Sequence, residues 1–194
     1  MVFTIITKIS LKEKQLLYIV VALKPEAQAF VDKFKLKKSK LSGFSLFYNG
    51  ELKLIVSGIG HSRARVATQT LINQFDITDD DVYLNIGICA ADAKYKIGTL
   101  LEIGGVVYEN TKHSFSLKKL EILCSDIAAT TTLFSIVDME SFGFYDAVIH
   151  NPAIKRFHIL KVVSDHFEPK KVTKEKTKML IFNQINAINE ILKK

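Results

Sequence analysis

Seven consecutive residues without a charged or amide side chain, Leu16-Leu17-Tyr18-Ile19-Val20-Val21-Ala22, set the first constraint on the fold. A strand of this kind has no polar face to offer water, so it must be covered on both sides, as in a sheet sandwiched between helices. Val82-Tyr83-Leu84-Asn85-Ile86-Gly87 reads as another buried strand, and the stretch from Phe157 to Val163 as a further short one. Between these strands lie helical stretches. Pro25 suits the first turn of a helix running through Phe30 and Phe34, and a second helix spans Ser62 to Phe75. A third, from about Thr173, presents Leu180, Ile181, Ile185, Ile188, Ile191 and Leu192 at helical spacing as a stripe facing the core. Phe44-Ser45-Leu46-Phe47-Tyr48 and Leu52-Lys53-Leu54-Ile55-Val56 flank Asn49-Gly50, a hairpin signal. Shorter strands are expected at Ile97 to Tyr108, loosened at Gly104-Gly105, and at Ile122-Leu123-Cys124 and Ile136-Val137. The expected class is α/β: a single domain with a central mixed, mostly parallel sheet flanked by helices.

A length of 194 residues fits one domain over residues 1–194, with residues 1–10 read as an added strand or an N-terminal extension. No apolar run approaches the ~20 residues needed to cross a bilayer, so no membrane partner is expected. Cys89 and Cys124 suit the free thiols of a cytoplasmic protein better than a disulfide framework. The net charge is +7. Its densest contribution, Lys33-Phe34-Lys35-Leu36-Lys37-Lys38-Ser39-Lys40, reads as the solvated end of the first helix, where lysines favour the negative end of the dipole. No nucleic-acid-reading motif accompanies the charge, so no nucleic-acid partner is expected. The five histidines show no metal-ligand spacing. Neither a metal nor a cofactor is expected.

The chemistry-bearing residues concentrate late in the chain. Val137-Asp138-Met139-Glu140 opens an apolar helical run, and the strand ending Val162-Val163 stops at Ser164-Asp165. Glu140 and Asp165 are thereby set at the ends of neighbouring elements, where α/β sheets place their ligands. Upstream, Val21-Ala22-Leu23-Lys24-Pro25-Glu26 puts an acid just after the first strand. Ser57-Gly58-Ile59-Gly60 is a glycine turn, and Asn85-Ile86-Gly87-Ile88-Cys89-Ala90-Ala91 stands where a second turn is expected.

These five blocks, in this order, resemble the nucleoside phosphorylase and nucleosidase superfamily, most nearly its methylthioadenosine and S-adenosylhomocysteine nucleosidases. The resemblance implies cleavage of the N-glycosidic bond of a purine nucleoside. It implies Asp165 as the acid that protonates the departing base, with Ser164 orienting it. Glu140 and Met139 would hold the ribose, and Glu26 would activate water. Such chemistry needs an acid at the base, an anion at the developing oxocarbenium sugar and a base for water. It also implies a small-molecule nucleoside as partner and a homodimer. The pattern departs from the family in three places. The chain is shorter than typical members, with the missing length between Tyr108 and Ile136, the region that supplies the wall gripping the purine in the family. Ile88 and Cys89 replace small or hydroxyl-bearing residues, and Ser125-Asp126-Ile127-Ala128-Ala129 stands where an aromatic residue stacks on the base.

Read without the resemblance, Asp165 is a turn cap before Pro169, Glu140 a first-turn helix acid and Glu26 a solvated helix residue. Arg63 and Arg65, near the start of the helix after Gly60, are either solvated or an anion site formed with the helix amides. Gly60, Arg63, Arg65 and Ile88 therefore mark the nucleophile or phosphate position. Three readings stay open: a hydrolytic nucleosidase, a phosphorylase using phosphate, and a nucleoside-binding protein without turnover.

Overall fold

The computed structural model describes residues 15–117, 119–131 and 133–193; the expected N-terminal extension lies outside them. Ten strands form one sheet. Its centre is parallel: β1 (Leu17–Val21) lies between β4 (Leu52–Val56) and β5 (Val82–Ala91), and β5 pairs in parallel with β10 (Arg156–Asp165). Its hairpin edge is antiparallel, with β4 joined to β3 (Phe44–Tyr48) and β3 to β2 (Lys37–Leu41). On the other side the sheet curls round and closes. β10 pairs with β6 (Leu100–Tyr108), β6 with β8 (Leu120–Cys124), β8 with β9 (Ile136–Asp138), and β9 returns to β5. β7 (Thr111–Ser114) pairs with β6 as a short hairpin. Closure shields the edges those strands would otherwise expose.

The apolar runs behave as their composition requires. Along β1, Tyr18 and Val20 enter one core with Leu71, Phe144 and Tyr83, on the side of α2 (His61–Gln74) and α3 (Ser141–Ile149). Ile19 and Val21 enter the other with Phe30, Ile181 and Ile185, on the side of α1 (Lys24–Phe34) and α4 (Lys174–Leu192). Side chains alternate across the pleat, so a strand buried on both faces is apolar except where a polar group finds a buried partner. Thr173 caps α4, its hydroxyl accepting from the Lys176 amide at 3.2 Å.

Two expectations need correction. The lysine run is a helix end only at its start, where Lys33 lies in the last turn of α1 and Lys35 caps it. α1 stops at Phe34 because Lys35 adopts the left-handed region (φ 53°), and Lys37–Leu41 forms the edge strand β2. Its exposed lysines solvate an edge and discourage pairing with another chain. The second correction concerns Asn85 to Ala91, which is not a turn: β5 continues straight through it, so Ile88 and Cys89 project from a strand. β7 also went unread, because Thr111-Lys112-His113-Ser114 carries no apolar alternation.

Among the described residues, no helix is long and apolar enough to cross a membrane.

Candidate active site

The carboxyl ends of the central strands converge on a cavity of about 220 Å³. Leu23 and Glu26 enter it from the start of α1, Ile88, Cys89 and Ala90 from β5, and Ser164 and Asp165 from the end of β10. Val137, Asp138, Met139 and Glu140 enter from β9 and the start of α3. Ile127, Ala128 and Ala129, in the loop after β8, form a wall, and Ile59 lies near them. The position follows from topology, since strand ends in an α/β sheet leave a crevice there.

Glu26 is 1% exposed, so it is not a solvated helix residue. One carboxylate oxygen accepts the Ala22 and Leu23 amides at 3.0 and 2.8 Å, and the other accepts the Ile88 amide at 3.0 Å. Burial drives its pKa up; the three amides and Lys161 pull against that without cancelling it. A Cβ on Gly87 would stand 3.0 Å from this carboxylate, a tight contact that would press Glu26 away from β5.

Glu140 sits at the start of α3, yet its side chain turns away from its own helix. Oε1 accepts the Gly60 amide at 2.9 Å, tying α3 to the turn before α2. Burial and the neighbouring Asp138 charge push its pKa up to about 7, against opposing pulls from Lys161 and the Gly60 amide. The two helices approach closely because Gly143 has no side chain: a Cβ there would collide with the His61 carbonyl.

Asp165 is 5% exposed. Oδ1 accepts the Glu168 amide at 2.7 Å, which is the turn cap that the local reading expected. Oδ2 lies 2.7 Å from Ser164 Oγ, which lies 3.0 Å from the Cys89 carbonyl. Ser164 has one hydroxyl proton for two acceptors. The Ser164 hydroxyl therefore links the end of β10 to β5 while contacting the Asp165 carboxyl group. The Asp165 side chain thus caps a turn and also faces the cavity.

Asp138 and Lys161 were not singled out in the sequence. Lys161 Nζ lies 2.6 Å from Asp138 Oδ2. Asp138 also accepts the Ser141 amide at 2.9 Å and the Ser141 hydroxyl at 2.6 Å, which caps α3. Burial pulls the Lys161 pKa down, but Asp138, Glu140 and Glu26 outweigh it and leave the ammonium above its ordinary value. One sequence signal pointed to Lys161: a lysine inside an otherwise apolar strand needs a buried partner.

The proposed anion residues separate. Gly60 donates to Glu140, and Ile88 lines the cavity and donates to Glu26. Arg65 does not enter the cavity; it pairs with Asp146 of α3 at 2.5 Å. Arg63 folds over Gly58, where a Cβ would stand 2.9 Å from its guanidinium. The Cys89 thiol, buried beside the cavity, is driven well above its ordinary pKa by desolvation, the wrong direction for a thiolate nucleophile. Among the described residues no group of histidine, cysteine and carboxylate side chains is arranged to hold a metal.

No family model and no curated protein sequence matches the chain. Solved structures do. A putative 5′-methylthioadenosine/S-adenosylhomocysteine nucleosidase from Francisella philomiragia superposes with a TM-score of 0.74 at 14% identity, over 93% of this chain and 99% of the other. The chain has the nucleosidase fold. Futalosine hydrolase of Helicobacter pylori shares that fold at a TM-score of 0.75 and 14% identity, over 92% and 97% of the two chains. The Arabidopsis thaliana 5′-methylthioadenosine nucleosidase does so at 0.71 and 18%, over 91% and 96%. The nucleosidase fold therefore spans nearly the whole chain.

Proposed function

We propose that this protein is a nucleosidase that hydrolyses the N-glycosidic bond of a purine nucleoside such as methylthioadenosine or S-adenosylhomocysteine. The observation that carries the reading is the meeting of Glu26, Glu140 and Asp165, from three separate elements, around one small cavity. Glu26 takes a proton from water as the water oxygen bonds to the anomeric carbon. The carbon–nitrogen bond breaks, and the base leaves with the proton delivered by Asp165. Glu140 holds the sugar hydroxyls, and Met139 packs against the sugar face. Ser164 orients Asp165. Burial raises the Glu26 pKa above the ordinary carboxylate value, which makes it a stronger base toward water.

Water is favoured over phosphate as the nucleophile. Arg63 and Arg65 point elsewhere, and Lys161 is held by Asp138. A phosphate between Glu26 and Glu140 would meet two carboxylates without a free cation among the described lining residues. The base would lie against the aliphatic wall of Ile127, Ala128 and Ala129, with no aromatic ring among the lining residues.

The test is a panel of purine nucleosides incubated with and without phosphate, with free base detected by chromatography. Release without phosphate supports the proposal. A strict phosphate requirement would mean a phosphorylase, and no release together with a thermal shift would mean a binding protein.

We also propose a homodimer. Ile59 and Ile127, 54% and 75% exposed, present apolar surface beside the cavity. A sedimentation profile holding only a 21.9 kDa species would contradict it.

A further inference from the structure

The loop after β8 forms the cavity wall through Ile127, Ala128 and Ala129, although Ile127 is largely exposed. Its beginning is fixed by the backbone: the Ser125 amide donates to the Asp138 carbonyl at 2.8 Å. Just beyond, the loop folds on itself, the Ser125 hydroxyl donating to the Ile127 carbonyl at 2.7 Å. Asp126 then reaches out of the loop to α2, where its Oδ1 lies 2.8 Å from His61 Nδ1. The Tyr108 hydroxyl of β6 completes the contact, 3.3 Å from His61 Nε2 and 3.5 Å from Asp126 Oδ1. Tyr108 is itself held in place, its ring stacked on Phe142 with centroids 4.3 Å apart.

Asp126, His61 and Ser62 also stand in the order of a nucleophilic triad, since Ser62 Oγ lies 3.0 Å from His61 Nε2. Ser62 is exposed and does not line the cavity, so no bound substrate would meet it there. The arrangement is better suited to a tether.

We propose that His61 and Asp126 are positioning residues whose side-chain contact holds the 125–129 loop as the wall against which the base is gripped. His61 follows Gly60, whose amide binds Glu140. One peptide therefore connects the anchor of the sugar-side carboxylate to the anchor of the wall, and this short rigid link keeps the two sides of the cavity in register. The identity of the gripped group rests on the nucleosidase reading; the attachment of the loop does not.

Hydrogen exchange on the full ligand-free chain tests the attachment directly. Asp126→Ala and His61→Ala are expected to speed amide exchange in residues 125–131 by about fivefold, the scale of a hydrogen-bonded side-chain contact. Asp126→Asn keeps an acceptor for the imidazole N–H and should restore most of the protection. Asp126 is 61% exposed, so its replacement spares the core even if His61→Ala impairs folding. Unchanged exchange in the Asp126→Ala variant overturns the proposal.

The second arm measures nucleoside hydrolysis. Asp126→Ala should raise KM by about fivefold, with the change falling on KM rather than kcat. Faster exchange with an unaltered KM would overturn the gripping role. If the wild type turns over no nucleoside, the nucleosidase reading fails, while the exchange arm still decides whether the tether exists.

Discussion

Lys161 Nζ lies 2.6 Å from Asp138 Oδ2, with 1% and 0% of the two side chains exposed. Glu26 and Glu140 also attract the Lys161 ammonium, so one ammonium serves three buried carboxylates. Removing one partner strands a charge away from water. Lys161→Met should therefore cost about 3–5 kcal/mol. Lys161→Met combined with Asp138→Asn should cost less than the single change, because neither charge remains. Urea denaturation of the three proteins checks this; a double variant less stable than Lys161→Met would refute the account.

Glu140 makes stability depend on pH. Its folded pKa of about 7 lies above its ordinary 4.5, so between those values the folded state binds more protons than the unfolded chain. Its contribution is fully present below the ordinary value and is lost as pH rises through about 7, on the order of 3 kcal/mol at most. The unfolding free energy should fall from about pH 5 to about pH 8, and Glu140→Gln should flatten that slope. An equally steep slope in the Gln variant would assign the dependence to other groups.

Asp165→Asn should abolish base release while sparing the fold. Asn keeps an oxygen to accept the Glu168 amide, so the turn survives, but it has no acidic proton to give. Loss of a positioned general acid lowers rates by about 10² to 10⁴. Glu26→Gln should lower the rate similarly, and because its NH2 would face a buried backbone amide it should also lower the melting temperature and weaken adenine binding. Single-turnover base release and calorimetric adenine titration separate the two effects, and full activity in a folded Asp165→Asn variant would remove Asp165 from the mechanism.

Gly143→Ala should destabilise the protein by about 1–3 kcal/mol or more, because the added methyl meets the backbone carbonyl of His61 and not a movable side chain. The separation of α2 and α3 would also stretch the Gly60–Glu140 bond. Nucleoside affinity should then fall along with the melting temperature. Retained stability would show that the helices can shift apart at little cost.

The sequence by itself determined the layers of the fold and the neighbourhood of the site. A strand covered on both faces needs an apolar run, so residues 16–22 announced themselves, and residues 157–163 did so apart from His158 and Lys161. Asn49-Gly50 marked the hairpin through its turn chemistry, and Thr173 marked the start of α4. Glu140 and Asp165 were legible because they end apolar elements abruptly. Only the tertiary structure decided what those groups touch. Glu26 reads locally as a helix acid; its burial depends on β5 passing beside it at Gly87. Arg63 and Arg65 sit at a helix start in either case, and packing against Gly58 and pairing with Asp146 turned them from the cavity. Lys37–Leu41 became a strand because β3 offered it an edge. Asp138 and Lys161 lie 23 residues apart in the chain, and periodicity reports one element's own faces, not which side chain of another element will meet them. The charge balance of the site is therefore a property of strand order, fixed when β9 and β10 take their places on either side of β5.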